Sequence, residues 1–233
     1  MMLSTPEVAH YAWLGERSWQ AYCARHGYGF EVCRDRLIAD MHPNWSKIAL
    51  VRNKLETQQA GHTLLVDADS LVLQPGTPLD DLLKLPQPIV FANDRPFPLP
   101  SIYQLGRHHL LRLRLGRFNL PNAGFILIRN GEYGRYFIHR WLELARNELR
   151  SWSDIHPRNQ NVLWRGLLNA ERKHIHILGN QVLRITHPSQ FSHLARLAPF
   201  ALHFKHDWID VATVCEYLPD LDLAPSADNR RQG

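Results

Sequence analysis

One stretch limits what this chain can fold into more than any other. Thr63-Leu64-Leu65-Val66 reads as a buried strand, and it ends abruptly in Asp67-Ala68-Asp69-Ser70. A strand hidden in a core needs helices or further strands packed on it. The rest of the chain supplies them by alternating short apolar runs with amphipathic stretches, the α/β pattern. Strands are expected at 2–4, 30–33, 63–66, 71–73, 89–92, 124–129, 175–178, 182–185 and 202–204. A helix is expected over 9–26, closed by Gly27 or Gly29, and a second from an N-cap at Ser46 to Gly61 at the C′ position. Thr77-Pro78-Leu79-Asp80 has the form of a capping box with proline at the first helical position. Phe137, Trp141 and Leu144 recur at helical spacing within 132–149, and 158–168 reads as a further helix.

With 233 residues, 45% of them hydrophobic and 21% charged, the chain can bury a large core and is not disordered. We expect one domain over 1–222, with an arginine- and proline-bearing insertion at about 95–121 and a disordered tail at 223–233. No apolar run approaches the roughly 18 residues that span a bilayer. Met1 to His10 lacks the basic start and apolar stretch of a secretory signal, so a cytoplasmic protein is expected. Cys23, Cys33 and Cys215 show no C-x-x-C spacing, which argues against disulfides and zinc and for free thiols. There is also no Walker A, G-x-G-x-x-G, G-x-S-x-G or H-E-x-x-H pattern.

Chemistry is carried by a few constellations. Asp67 and Asp69 stand two apart at a strand end, so they share a side, where like charges repel unless a cation joins them. A hard dication with oxygen ligands fits, and such ions bridge to phosphates; the plain alternative is two solvated turn residues. His203 follows a short apolar strand and Lys205 stands two further on, a pair suited to completing a metal site and neutralising phosphate, or else a surface turn. Asn122 and Gly124 precede a strand, where an amide can read a hydroxyl and glycine lets a ligand approach the backbone. Asn159, Gln160 and Asn161 open a helix with amides that suit sugar hydroxyls, or simply cap it.

Charge is uneven. Of 27 basic residues 22 are arginine, against 22 acids, for a net charge of +5. From Arg95 to Arg117 five arginines face one acid, Asp94, and Arg112 and Arg114 would form one stripe on an extended strand. Such a stripe suits an anionic partner or is merely solvated. From Asp207 to Asp222 five acids stand without a lysine or arginine.

Several motifs, taken in order, resemble a GT-A glycosyltransferase of the galactosyl/xylosyltransferase family related to yeast mannan and plant xyloglucan enzymes, and more loosely the glycogenin-like family. They are Tyr22-Cys23-Ala24-Arg25-His26-Gly27-Tyr28, His42-Pro43-Asn44-Trp45-Ser46-Lys47, Leu65 to Asp69, Asn122 to Asn130, and His203-Phe204. The resemblance implies a Rossmann-like nucleotide-diphospho-sugar transferase fold, with a mixed central sheet flanked by helices. It implies a metal, Mn²⁺ or Mg²⁺, on Asp69 and His203, with Asp67 as a further ligand or a contact to the ribose. It places Lys47 and Lys205 on the diphosphate, Ser4 and Thr5 near the base, and Asn122, Gly124, Asn159 and Gln160 about the sugars. The donor implied is a nucleoside-diphosphate sugar, most simply a UDP-sugar, with transfer at retained configuration to a glycan, protein or nucleic-acid acceptor. In place of the family's acid–glutamine pair this chain has Asn159-Gln160, and Asp154 lies out of register. That points to front-side attack without a covalent enzyme intermediate.

Two other readings compete. In a haloacid-dehalogenase-like phosphatase Asp67 would be the nucleophile, although Leu71 stands where that motif has threonine. A non-catalytic or nucleic-acid-directed glycosyltransferase-like protein would use the arginine stripe.

Overall fold

The alternation of side chains along the central strands sets the architecture. In the computed structural model, which describes residues 1–57, 60–94 and 119–219, the elements run in this order. They are β1 (Met2–Leu3), α1 (Ala9–His26), β2 (Val32–Cys33), α2 (Asn44–Thr57), β3 (His62–Val66), β4 (Ser70–Val72), α3 (Asp80–Leu83), β5 (Ile89–Asn93) and β6 (Pro121–Arg129). Then come α4 (Glu132–Arg146), α5 (Arg150–Ser153), α6 (Asn159–Val162), β7 (Ile175–Ile177), β8 (Val182–Ile185), α7 (Leu194–Leu197), β9 (Ala201–Phe204) and α8 (Val211–Tyr217).

Ile126 and Ile128 of β6 face one core, while Phe125 and Leu127 face another. In β5, Ile89 and Phe91 go one way, Val90 and Ala92 the other. Strands apolar on both faces must be covered on both. One cover is α2 and α4, through Trp45, Ile48, Val51, Phe137 and Trp141. The other is α1, through Trp19, Tyr22 and Cys23.

The sheet order is β2-β1-β3-β6-β5-β7. Every strand runs the same way except β6, which is antiparallel to both neighbours. The sheet is therefore mixed, as expected. Its reversed strand brings the first residues of β6 to the edge where β3 and β5 end. A second sheet, β4-β9-β8, packs Leu71, Leu183, Ile185, Leu202 and Phe204 against Leu14, Ile209 and Val214.

Some expected boundaries shift. Gly27 does close α1: its φ is 70° and its N–H bonds to the Cys23 carbonyl. Ser46 is no N-cap, because α2 already begins at Asn44. Its hydroxyl instead accepts the amides of Leu37 (3.0 Å) and Ile38 (3.3 Å), tying down the incoming loop. The described helix ends at Thr57, and Gly61 is not left-handed but accepts the Asn130 amide through its carbonyl. Thr77 builds no capping box: its hydroxyl bonds Gln74, and α3 starts after Leu79 without a side-chain cap. The helix expected over 132–149 breaks at Asn147, which leaves helical angles, and α5 follows. The one expected over 158–168 is α6 widening into a π turn, Leu163–Leu167.

Most of the 95–121 insertion, with its arginine stripe, and the 223–233 tail lie outside the described residues. All three cysteines are free. Among the described residues no helix is long and apolar enough to cross a membrane.

Candidate active site

Strand register assembles the site. Val66 pairs with Phe125, and the Asp67 amide bonds the Gly124 carbonyl at 2.9 Å, so Asp67 and Gly124 leave the large sheet side by side. Three residues on, β4 enters the small sheet with Ser70 paired to His203. The Phe204 amide donates to the Asp69 carbonyl at 2.9 Å. Pairing alone therefore carries His203 to the two aspartates from a distant part of the chain.

Helix α1 holds this turn from above. Trp19 donates its indole N–H to the Ser70 hydroxyl (2.9 Å), which donates to the Asp67 carbonyl (2.5 Å), and Ser18 accepts the Val72 amide (2.9 Å). The approach is close enough to require glycine at 15, where a Cβ would run into the Ala68 carbonyl oxygen.

One ligand atom each from Asp67, Asp69 and His203 lies within 4.8 Å of the others. His203 Nε2 is 3.0 Å from Asp69 Oδ1 and 3.8 Å from Asp67 Oδ2. Ligand atoms on one octahedral cation stand about 3 to 4.2 Å apart, so two carboxylates and an imidazole at this spacing fit a divalent ion. Gly124 completes the cradle: a Cβ there would sit 2.8 Å from Asp67 Oδ2, from His203 Cε1 and from Asn122 Oδ1.

Burial opposes the charge on Asp69, but the facing imidazoles of His203 and His206 outweigh it and hold the carboxyl well below the usual range. His206 places Nδ1 3.2 Å from Asp69 Oδ2 and Nε2 2.9 Å from Asp207, and stacks on Tyr11 at 3.9 Å. The hydrogen bond to Asp69 raises the His206 pKa. Tyr11 is pushed the same way by burial and then by the nearby carboxylates.

Cations ring the pair. Lys47 reaches across from α2 to Asp67 Oδ1 at 2.5 Å. Lys205 is half-buried, and burial followed by the neighbouring Arg184 lowers its pKa. Arg184 pairs in register with His203 in the parallel β8–β9 ladder.

Beside the cradle lies a second carboxylate centre. Asp94, 2% exposed, follows β5. Its Oδ1 accepts from Asn122 (3.1 Å), Gln160 (3.2 Å) and Arg184 (2.7 Å). Asn122 turns its own oxygen to the Gly124 amide (2.6 Å), and Gln160 turns its oxygen to the Ala123 amide (3.2 Å). The expected Asn122, Gly124 and Gln160 thus meet at one place.

Three expected residues stand further back. Asn159 bonds the Gln160 amide (2.9 Å) and the Asn44 carbonyl, which fixes the helix start that bears Gln160. Ser4 is wholly buried at the end of β1 and accepts from Arg34 (2.7 Å) while donating to Glu16 (2.5 Å). Thr5 is buried next to it.

Sequence reasoning passed over four participants: Asp94, Arg184, His206 and Ser70. Asp94 stood out only as a lone acid before the arginines. Arg184 carried a signal, being the one charged residue inside an apolar strand. For His206 and Ser70 the pattern offered none.

A model of the galactosyl transferase GMA12/MNN10 family matches residues 17–208. No curated protein matches by sequence. Among solved structures, a glycosyltransferase involved in the glycosylation of the major capsid of PBCV-1 is similar, with a TM-score of 0.62 at 14% identity over 87% of this chain and 91% of that one. The galactosyltransferase LgtC, in complex with donor and acceptor sugar analogs, gives 0.56 at 12% identity over 97% and 96%. Mouse xyloside xylosyltransferase 1 gives 0.50 at 10% identity over 89% and 97%. At such identities the likeness is one of fold, the GT-A glycosyltransferase fold.

Proposed function

The chain belongs to the galactosyl transferase GMA12/MNN10 family, and on that premise we propose that it transfers a sugar from a UDP-sugar to an acceptor, with a divalent metal and with retention at the anomeric carbon. The observation that carries this reading is the convergence of Asp67, Asp69 and His203 within 4.8 Å beside Gly124, where any Cβ would push on Asp67 and His203. We take residues 1–222 as one catalytic domain, with 95–121 as its insertion.

Mn²⁺ or Mg²⁺ on those three side chains would neutralise charge on the departing diphosphate. The rest falls to the chain itself. Lys47, Lys205 and Arg184 supply fixed positive charge around the same point, where it is worth more than in water because the groups are partly buried. Ser4 and Thr5 end β1 at the same sheet edge and border the nucleoside. Asn122 and Gln160 are both oriented by Asp94, so each holds one fixed amide face toward the transferred sugar. With asparagine at 159, Asp94 is the buried carboxylate at this place, and it is engaged by three donors on one oxygen. A carboxylate so held is a poor nucleophile, which favours front-side attack by the acceptor hydroxyl.

The family removes the phosphatase reading. The nucleic-acid reading rested on arginines outside the described residues. The test is titration of the purified protein with a panel of UDP- and GDP-sugars with and without Mn²⁺, beside Asp69→Asn. Metal-dependent binding of a UDP-sugar, lost in the variant, is expected. Binding of none, or binding indifferent to metal, refutes the proposal.

A further inference from the structure

Six of the seven tryptophans are buried or half-buried, but Trp208 is 70% exposed, well above any other large apolar side chain described. It does not sit on a loose loop. Its amide and that of Ile209 both bond the Lys205 carbonyl at 2.8 Å. Ile209 is 2% exposed and anchors in the small-sheet core. On one side His206 is clamped between Asp69 and Asp207 and stacked on Tyr11. On the other, Asp210 caps α8 through the Thr213 amide at 2.7 Å. A rigid turn thus presents a bare indole to solvent.

The turn is also next to the chemistry. Trp208 is two residues from His206, whose ring touches Asp69, so its Cα is within about 7.6 Å of that of His206. That is the reach of one or two sugar rings. An aromatic plane offers the apolar C–H face of a pyranose a stacking surface, and carboxylates accept from its hydroxyls. Asp207, with its side chain 61% exposed, immediately precedes Trp208 in the chain and has one oxygen on His206 Nε2. After the half-buried Lys205, the exposed charges from His206 to Tyr217 are Asp207, Asp210 and Glu216, which disfavour a phosphate backbone.

We propose that Trp208 is the floor of an acceptor subsite for a neutral sugar ring, with Asp207 bonding the ring's hydroxyls. This rests on the sugar-transfer reading above and adds the acceptor's class: a neutral glycan, not a nucleic acid. The rigidity of the turn means that no ordering of the platform is required on binding.

The test uses wild type, Trp208→Ala and Trp208→Phe, each with UDP and Mn²⁺. The probes are neutral gluco-, galacto-, manno- and xylo-oligosaccharides and, separately, a thymidine oligonucleotide. Binding is read by saturation-transfer NMR and by calorimetry, with UDP–Mn²⁺ affinity measured in parallel. At least one oligosaccharide should bind wild type, about tenfold more weakly Trp208→Ala and by an intermediate amount Trp208→Phe, with UDP–Mn²⁺ affinity unaltered. The proposal is overturned if UDP–Mn²⁺ binds but no oligosaccharide does, if Trp208→Ala binds the sugar as well as wild type, or if the oligonucleotide alone binds at Trp208. Absence of UDP–Mn²⁺ binding in wild type removes the transfer reading itself and the subsite with it.

Discussion

Ser70 and His203 face each other across the β4–β9 ladder, and that pairing puts an imidazole 3.0 Å from Asp69. Around it, each neighbour has little room to change.

Gly124→Ala is the sharpest probe of the cradle. The added methyl would lie 2.8 Å from atoms of Asp67, His203 and Asn122, so at least one must move. Affinity for Mn²⁺ in the presence of UDP should fall about 10- to 100-fold, the usual effect of disturbing what orients metal ligands. Calorimetry measures it, and unchanged circular dichroism would show that the fold is intact. Wild-type affinity would contradict the geometry.

Asp94→Asn leaves the guanidinium of Arg184, 16% exposed, without its buried counter-charge. Breaking a buried pair from one side costs about 3–5 kcal/mol. Denaturant unfolding should show a loss of that order, and the double variant Asp94→Asn with Arg184→Met should recover part of it. Strict additivity of the two single changes would mean that the pair is not coupled. Transfer activity should fall with Asp94→Asn, because a neutral amide oxygen holds Asn122 and Gln160 less firmly than the carboxylate does.

Ser70→Ala removes the relay from Trp19 to the Asp67 carbonyl and leaves a buried indole N–H unpaired. The expected cost is about 1–3 kcal/mol. Trp19→Phe in the same background should restore some of it, since the unpaired donor is then gone; thermal unfolding of the two variants decides.

Burial raises the Cys23 thiol pKa above its ordinary value. The native state therefore keeps its proton where the unfolded chain has begun to lose it, so the unfolded state binds fewer protons. Stability falls as pH rises through the ordinary thiol range near pH 8.5. Cys23→Ala should flatten that part of the stability–pH curve. In native labelling, half-buried Cys33 and Cys215 should react before Cys23.

How much of this was readable in advance depended on where each residue's partners lie. The strand ending in Asp67, the glycine closing α1 and the apolar face of α4 are set by neighbours a few residues away, so periodicity reveals them. Ser46 looked like a helix cap because the pattern cannot show that its hydroxyl is taken by the Leu37 and Ile38 amides. The role of Asp94 was hidden for the same reason: its donors come from positions 122, 160 and 184. His203 could be singled out from its place after an apolar strand, but nothing local joins it to Asp69, and only the family resemblance put the two on one metal. The approach of α1 to Ala68 hides in a single glycine at 15.

Asp67 ends at the six-stranded sheet through its bond to Gly124, while Asp69 is bonded to Phe204 of the three-stranded one, which also carries His203. Any cation gripped by all three is a clasp across the seam between two layers, and the chain crosses that seam there in only three residues. Opening the small sheet would then require letting go of the ion. Backbone amides of β8 and β9 should exchange with deuterium more slowly as Mn²⁺ is raised, while those of β5 and β6 stay indifferent.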